Sequence, residues 1–291
     1  MSPQPAQLEA LVAILDHGTF DAAARALHVT PSAVSQRIRA LESAAGQVLV
    51  RRTTPCRPTA AGEALVRLAR QTRLLYDEAR AALTPDGGAI ALPVAVNADS
   101  LASWFLDVLA AASEWDRVAL RLHVEDQAYS ADLLRRGDAL AAVTSDPTAV
   151  QGCSVEPLGV LRYLPVAAPG FAERWRRGGR PDWARMPVLV FNDRDSLQHD
   201  LLRRRGVDSP AVVHHVPSST EFHEAVRLGL GWSLLPLPQL GSDVEDGRLV
   251  LLHGRDHVDV PLFWQRWRLD SPTLDRLTDT VRTAARAHLR R

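Results

Sequence analysis

The residues best suited to recognition chemistry lie on one side of a predicted helix between Thr30 and Glu42. Val34, Ile38 and Leu41 repeat at the spacing of a buried helical face, so the polar side chains between them point away from the core. Amide, hydroxyl and guanidinium groups in such positions can hydrogen-bond to base edges in a DNA major groove or to backbone phosphates. The candidate DNA-binding residues are Thr30, Ser32, Ser35, Gln36, Arg37, Arg39, Arg51 and Arg52.

A second helix and a turn precede this one and would position it. Ala23 and Leu27 lie at helical spacing, and His28 and Val29 form the turn. Thr30 is a favourable N-cap, and the proline after it stands at the first helical position, where its missing N–H costs nothing. The pattern predicts a helix-turn-helix whose second helix enters a major groove. The alternative is an ordinary amphipathic helix pair with a solvated polar face.

The basic charge that a DNA-binding surface needs is local in this chain. The 291 residues carry 34 basic and 34 acidic side chains, and every basic one is arginine, so the overall charge gives no attraction to nucleic acid. From Thr30 to Arg57, however, Glu42 is the only acid against five arginines. Neutralising backbone phosphates requires such a local excess.

A second group of candidate residues follows the strands predicted for the rest of the chain. From Ile90 onward, apolar runs at strand spacing alternate with helical patterns, which predicts an α/β fold. Ligands of α/β proteins bind where strands end and helices begin, so acids and hydroxyls at those junctions could hold a small molecule. Each could instead be a helix cap or a solvated loop acid. The candidate effector-binding residues are Asn97, Asp99, Ser100, Glu125, Asp126, Thr144, Asp193, Ser218, Ser219 and Thr220.

A long helix is predicted between the two parts, from Thr59 to about Thr84, before the breaker Pro85-Asp86-Gly87-Gly88. Its apolar stripe steps by three and four residues alternately, which is the spacing of a coiled-coil seam. We expect this stripe to pair with a second copy of the chain; the alternative is a helix that lies on its own domain. The stripe consists of Leu65, Leu68, Thr72, Leu75, Ala79 and Ala82.

Several classes of protein are disfavoured by composition and spacing. Cys56 and Cys153 are too few for a disulfide framework or a zinc site, which fits a reducing cytosol. His214, His215 and His223 lack metal-ligand spacing, so we expect no metal. No grouping of nucleophile, base and orienting residue stands out, so we expect no enzyme. There is no apolar run long enough to span a bilayer and no signal segment, so a cytoplasmic protein without membrane contact is expected.

The N-terminal pattern resembles a known family. The string S-A-V-S-x-x-I-x-x-L-E, from Ser32 to Glu42, is similar to the DNA-binding domain of LysR-type transcriptional regulators. The similarity continues through Gly46 and Leu49 to the arginine pair after Val50 and on to Gly62. The resemblance implies a winged helix-turn-helix, a linker helix that dimerises, and two α/β subdomains resembling periplasmic binding proteins.

Four segments further along the chain resemble the LysG/ArgP-type branch of this family, which senses basic amino acids. They are AVNADSLASW, HVEDQ, LLRRGDALAAVTS and VPSSTEF. That resemblance implies a regulator of an amino-acid exporter gene whose effector is lysine or arginine, with no cofactor. The implied partners are double-stranded DNA with an imperfectly palindromic operator, a homodimer or homotetramer, and RNA polymerase. Alternatives left open are an architectural or replication-origin-binding DNA protein without a small-molecule response, a regulator with a different effector, and, least favoured, a binding-protein-like enzyme fused to a DNA module.

The same resemblance suggests domain boundaries. The chain would cross between the two α/β subdomains near Arg162–Leu164 and Gln265–Arg268. The expected divisions are 1–58 for the winged helix-turn-helix, 59–88 for the linker helix and hinge, and 89–291 for the effector-binding domain, with subdomain I at 89–163 and 267–291 and subdomain II at 164–266.

Overall fold

A computed structural model describes residues 3–84, 88–124, 130–254 and 256–291. The breaker residues Pro85, Asp86 and Gly87 and the candidate acids Glu125 and Asp126 lie outside the described residues. None of the described helices is long and apolar enough to cross a membrane. The N-terminal elements are α1 (Pro5–His17), α2 (Phe20–Ala26), α3 (Pro31–Ala45), β1 (Val50–Arg51), β2 (Arg57–Pro58) and α4 (Ala60–Leu83).

Local signals define the helix-turn-helix formed by α2 and α3. Thr19 Oγ1 accepts a hydrogen bond from the N–H of Ala22 at 3.1 Å, and Thr30 Oγ1 accepts one from Ala33 at 3.2 Å. Gly46 ends α3 with a φ of 66°, a left-handed conformation that favours glycine. The predicted N-cap at Thr30 is therefore confirmed. The buried faces of α1 and α3 meet in one apolar cluster that includes Leu11, Ile14, Val34, Ile38 and Leu41.

Strands β1 and β2 form a small antiparallel wing that is joined tightly to α4. Thr59, the N-cap of α4, donates its N–H to Leu49 O at 2.9 Å and its hydroxyl to Val48 O at 2.8 Å. A Cβ atom on Gly62 would lie 2.1 Å from Leu49 O, so glycine is needed where the helix meets the wing. The wing therefore keeps a defined position beside the first turn of α4.

The long helix α4 packs on its own chain along one face only. Val66, Ala69 and Leu74 are buried, and the helix contacts α1 as well as elements of the effector-binding region. The opposite stripe is exposed, with Leu68 at 42% and Leu75 at 40%. The alternative of a helix that lies on its own chain therefore holds for the buried face. Pairing through the exposed stripe remains a prediction.

Charged side chains connect α4 to the regions on either side of it. Arg70 Nη2 lies 2.6 Å from Asp16 Oδ1 in α1, and its Nη1 donates to Asp138 in the effector-binding region. Further along, Glu78 Oε1 accepts a hydrogen bond from Ser271 Oγ at 2.7 Å. The linker helix is therefore held at two points by residues distant in sequence.

The remaining elements alternate strands and helices, which confirms the predicted α/β class. They are β3 (Ile90–Val96), α5 (Ala98–Leu101), α6 (Leu106–Ala112), β4 (Val118–Val124), α7 (Ser130–Arg136), β5 (Ala141–Thr144), β6 (Cys153–Ala167), α8 (Pro169–Arg174), β7 (Arg176–Arg177), β8 (Arg180–Pro181), β9 (Val188–Val190), α9 (Leu197–Arg204), β10 (Val213–His215), α10 (Ser219–Arg227), β11 (Ser233–Pro236), α11 (Leu237–Leu240), β12 (Val250–Leu251), β13 (Val258–Trp267) and α12 (Pro272–His288). The main sheet has the strand order β11-β6-β13-β5-β3-β4, and β12 also pairs with β6.

Two long antiparallel strands, β6 and β13, connect the two halves of this region. All of β13 pairs with the first part of β6, from Val258↔Tyr163 to Trp267↔Cys153. One end of β6 pairs with β11, whereas β13 pairs with β5 from Phe263 onward. The register between the two strands shifts at Leu262/Phe263. β13 therefore gains β5 as a second neighbour at Phe263, and the crossings expected near Arg162–Leu164 and Gln265–Arg268 remain predictions.

Candidate functional site

The polar face of α3 is exposed in the structure. The side chains of Ser32, Gln36 and Arg39 are exposed, and Ser35 and Arg37 are half-buried at its flanks. This is the arrangement that a recognition helix needs, because its apolar face is used in the domain core. Contact between these five residues and DNA remains a prediction.

The start of α3 and the wing add the other candidates for DNA contact. Thr30 is exposed, and its Oγ1 lies 2.9 Å from Ser32 Oγ, so the cap hydroxyl is already partly used within the helix. Arg51 and Arg52 are both exposed, and the Arg52 guanidinium lies 5.0 Å from the centroid of the Phe20 ring. A cation placed on a ring face is held in position while keeping its charge. The wing thus presents cations beside α3.

Glu42, the only acid in this part of the sequence, is turned toward the wing backbone. Its Oε1 accepts hydrogen bonds from the N–H groups of Leu49 at 2.9 Å and Val50 at 3.3 Å. The carboxylate therefore joins α3 to β1 and is half-buried rather than projecting from the polar face. The arginine excess predicted from the sequence consequently remains available to a polyanion.

A cavity of about 340 Å³ lies in the effector-binding region and is called the cleft below. One wall comes from the end of β3 and the start of α5, with Asn97 and Asp99. The facing wall comes from the segment that leads from β9 into α9, with Arg194, Asp195 and Gln198. The volume is near the lower end of the roughly 300–1,000 Å³ range of small-molecule sites. The cleft is large enough for a small metabolite.

The acid Asp99 is held by a buried tyrosine. The Tyr163 hydroxyl donates a hydrogen bond to Asp99 Oδ2 at 2.8 Å, and Tyr163 is 1% exposed. Tyr163 belongs to β6, so a strand shared by both halves of the region supplies the donor. A hydrogen bond to a carboxylate stabilises its ionised form. The cleft therefore contains an oriented carboxylate suited to a cationic group.

The facing wall carries both signs of charge. Asp195 accepts hydrogen bonds from the N–H groups of Phe191 at 2.9 Å and Leu197 at 3.2 Å, which shape the entry to α9. Arg194 also lines the cleft. In the lining as described, the charged side chains are thus two acids and one arginine, an excess of negative charge.

Two amide side chains in the walls have unpaired oxygens. Gln198 is 1% exposed; its Nε2 donates to Ser233 Oγ at 2.9 Å, and Ser233 donates to Leu189 O at 2.9 Å. Because the Ser233 hydroxyl has one hydrogen and gives it to Leu189, it can only accept from Gln198. Gln198 Oε1 and Asn97 Oδ1 are buried with no hydrogen-bond partner among the described residues. Unpaired acceptors make the walls more favourable for a donor-rich ligand.

Several residues predicted for the effector lie at or behind the cleft surface. Asn97 and Asp99 line it, whereas Ser100 is fully buried and its Oγ has no partner in the described part of the chain. Thr144 is also fully buried, and its Oγ1 accepts a hydrogen bond from the Asp146 N–H at 3.0 Å. The residue after Thr144, Ser145, lines the cleft in its place.

Four other predicted residues that the structure describes lie outside the cleft lining: Asp193, Ser218, Ser219 and Thr220. Asp193 has a side chain that is 97% exposed, with Oδ1 lying 3.1 Å from His215 Nε2. Ser218 hydrogen-bonds to Glu221, and Ser219 and Thr220 begin α10 outside the lining. Any contact of these residues with an effector remains a prediction.

The two parts of the chain match two family models. Residues 5–63 match the bacterial regulatory helix-turn-helix protein model of the lysR family, and residues 91–286 match the LysR substrate binding domain. The chain belongs to the LysR family of transcriptional regulators. Its members regulate transcription and are not enzymes.

Relatives of this LysR-type regulator cover it nearly from end to end. The lysine export transcriptional regulatory protein LysG of Corynebacterium efficiens is 50% identical over 288 residues, covering 98% of this chain and 99% of that protein. A full-length structure of LysG from Corynebacterium glutamicum with bound effector Arg has a TM-score of 0.82 at 44% identity, covering 99% of this chain and 100% of that one. ArgP from Mycobacterium tuberculosis has a TM-score of 0.87 at 46% identity, covering 100% and 99%. The resemblance to the LysG/ArgP-type branch is confirmed.

Sequence reasoning missed Tyr163 and Gln198. Tyr163 lies within an apolar strand and carries no pattern that separates it from a core residue. Gln198 left a weak signal, because it precedes Leu201 and Leu202 by three and four residues and so occupies the apolar face of α9. A polar residue on a buried helical face is a useful marker of a site.

Proposed function

We propose that this LysR-type regulator senses a basic amino acid, lysine or arginine, in the cleft and controls an amino-acid exporter gene. The observation that carries the proposal is the charge of the lining, with Asp99 and Asp195 against Arg194. A basic amino acid has two cationic groups and one carboxylate. These charges are complementary to the two acids and one arginine of the cleft lining. The LysG and ArgP relatives support the same effector class and the same target.

On the DNA side, the proposed roles follow the position of each residue. We propose that Ser32, Ser35, Gln36 and Arg39 read or approach bases, with Arg37 at the flank, while Thr30, Arg51 and Arg52 contact phosphates. The exposed stripe of α4 would pair two chains into a homodimer, and two dimers could form a homotetramer. Paired recognition helices about one DNA turn apart, roughly 34 Å, would read an imperfect palindrome. RNA polymerase is the further proposed partner.

The proposed divisions of the chain are 1–58, 59–88 and 89–291, with the cleft between the two subdomains of the last. Effector binding would shift the relative position of these subdomains and so of the paired chains. Such a shift requires that the effector bind one arrangement more tightly than the other. Contacts from both walls of the cleft can supply that difference.

Titration calorimetry with L-lysine and L-arginine tests the effector class. We expect the wild-type protein to bind at least one of them and Asp99→Asn to weaken binding about 10- to 100-fold, the effect of one charged hydrogen-bond partner. Asp116→Asn, an exposed acid outside the cleft lining, is the matched control and should bind normally. Binding of neither amino acid would favour a DNA-binding protein without this response or with another effector.

A further inference from the structure

Tyr163 is an uncharged residue of the cleft lining, and its hydroxyl donates a hydrogen bond to the Asp99 carboxylate. We propose that Tyr163 is a positioning residue for the effector, whose hydroxyl holds the Asp99 carboxylate in the orientation that receives the ligand cation. The inference rests on the proposed basic amino acid. It adds a residue that acts through Asp99 rather than by its own charge.

Tyr163 and Asp99 differ in how closely the surrounding structure packs them. Tyr163 lies in β6 and pairs with Val258 of β13 on one side and Pro236 of β11 on the other. Its ring is 1% exposed, so packing leaves it little rotational freedom. Asp99 belongs to the four-residue helix α5 and is only half-buried. The hydrogen bond from Tyr163 in β6 therefore limits the rotation of the Asp99 side chain, which the short helix α5 leaves partly exposed.

A carboxylate that accepts a hydrogen bond from a tyrosine keeps its negative charge and still attracts a cation. A carboxylate has two oxygens that can accept about four hydrogen bonds in total, and the Tyr163 hydroxyl supplies one donor at 2.8 Å. Ammonium and guanidinium groups are donors only, so a carboxylate supplies the acceptor that they need. Orientation before binding lowers the entropic cost of ordering Asp99 on the ligand. Loss of the hydroxyl should therefore reduce affinity without removing the charge.

The bond also joins the segment after β3 to the long strand β6. Asp99 follows β3, whereas the part of β6 that contains Tyr163 pairs with β11, and the two residues are 64 positions apart. A cation bound at Asp99 is therefore linked to the strand that crosses between the halves.

The first test is Tyr163→Phe, which deletes the hydroxyl and retains the ring. We expect titration calorimetry to show lysine and arginine binding weakened about 5- to 30-fold, less than the loss expected for Asp99→Asn, because the carboxylate and its charge remain. Tyr76→Phe is the matched control, because its side chain lies on α4 and is 66% exposed, and it should bind both ligands normally. Unchanged affinity in Tyr163→Phe, with normal binding by the wild type, overturns this inference alone.

A double-mutant cycle separates positioning from a general structural effect. If Tyr163 acts through Asp99, adding Tyr163→Phe to Asp99→Ala should change affinity less than about twofold, since coupled residues are not additive. Additive losses overturn the inference. If the wild-type protein binds neither lysine nor arginine, the proposed effector class itself is refuted and this inference falls with it.

A ligand series gives a second readout that does not depend on the Asp99 variant. L-Lysine, 6-aminohexanoate and L-norleucine differ in which ammonium group they carry. 6-Aminohexanoate lacks the α-ammonium of lysine, and L-norleucine lacks the side-chain ammonium. One of these two analogues therefore lacks the ammonium group that binds Asp99, and we expect Tyr163→Phe to weaken binding of lysine more than binding of that analogue. Equal proportional losses for all three ligands would show a structural role and overturn the inference.

Discussion

The contact of Arg70 with both neighbouring regions offers a quantitative test of how the linker helix is held. The Arg70 side chain is 17% exposed, and its carboxylate partners Asp16 and Asp138 are 47% and 31% exposed. Burial works to lower the pKa of the Arg70 guanidinium, but the two carboxylates more than compensate, so the pKa is raised above its ordinary value. Arg70→Met keeps most of the aliphatic stem and removes both ion pairs.

Exposure of the two carboxylates sets the size of the expected effect. The pair with Asp16 is substantially screened and should contribute about 0.5 kcal/mol, and the less exposed pair with Asp138 about 1 kcal/mol. We therefore expect Arg70→Met to lower the free energy of unfolding by about 1–2 kcal/mol. Arg73→Met is the matched control: the Arg73 side chain is 69% exposed, its Nε lies 3.7 Å from Asp77 Oδ2, and it should have little effect.

Urea unfolding of Arg70→Met, Asp16→Asn, Asp138→Asn and the two double variants measures each pair separately. All seven tryptophans lie beyond residue 100, so their fluorescence reports the effector-binding region, while circular dichroism also reports the N-terminal helices. The coupling between Arg70 and Asp138 should appear in the fluorescence transition. Zero coupling energy in both cycles would refute the reasoning that Arg70 connects the three parts of the chain.

Three further predictions concern the DNA-binding surface and a buried thiol. Arg52→Ala should weaken DNA binding for every sequence and reduce the slope of log affinity against log salt by about one; normal binding in gel shifts at every salt concentration would contradict a phosphate contact. Gln36→Ala should lose about 1–3 kcal/mol of discrimination at one base position, measured by competition between operator variants, and unchanged preference would argue against base readout. Burial raises the pKa of Cys153 to about 12. Its thiolate fraction at pH 8 is then about 10⁻⁴. In a Cys56→Ser variant, labelling of Cys153 by a disulfide reagent should therefore be slow and rise with pH, and rapid stoichiometric labelling of that variant would contradict the burial.

The helix-turn-helix shows how much local sequence can predict. Thr30 accepts a bond three residues along the chain, Pro31 occupies the first helical position, and Gly46 ends the helix in a left-handed conformation. Each of these effects acts within one or two helical turns. The type and the beginning of α3, and the direction of its polar face, could therefore be predicted from residue spacing alone.

The cleft is a different case, because its parts come from distant positions. Asn97 and Asp99 could be predicted, since a strand end followed by a helix start is visible in the sequence. Ser219 and Thr220 follow the same local pattern, yet they lie outside the lining. Local patterns recognise a junction between elements but carry no information about which junctions face each other.

By itself, then, the amino-acid sequence determined the helices, their caps, the local excess of arginine and the family, because these depend on neighbouring residues and their spacing. Only the tertiary structure decided which side chains meet. The hydrogen bond from Tyr163 to Asp99 joins residues 64 positions apart, and that from Gln198 to Ser233 joins residues 35 apart. Both follow from the pairing and packing of strands and helices, which bring distant segments together through burial of apolar surface rather than through any local signal.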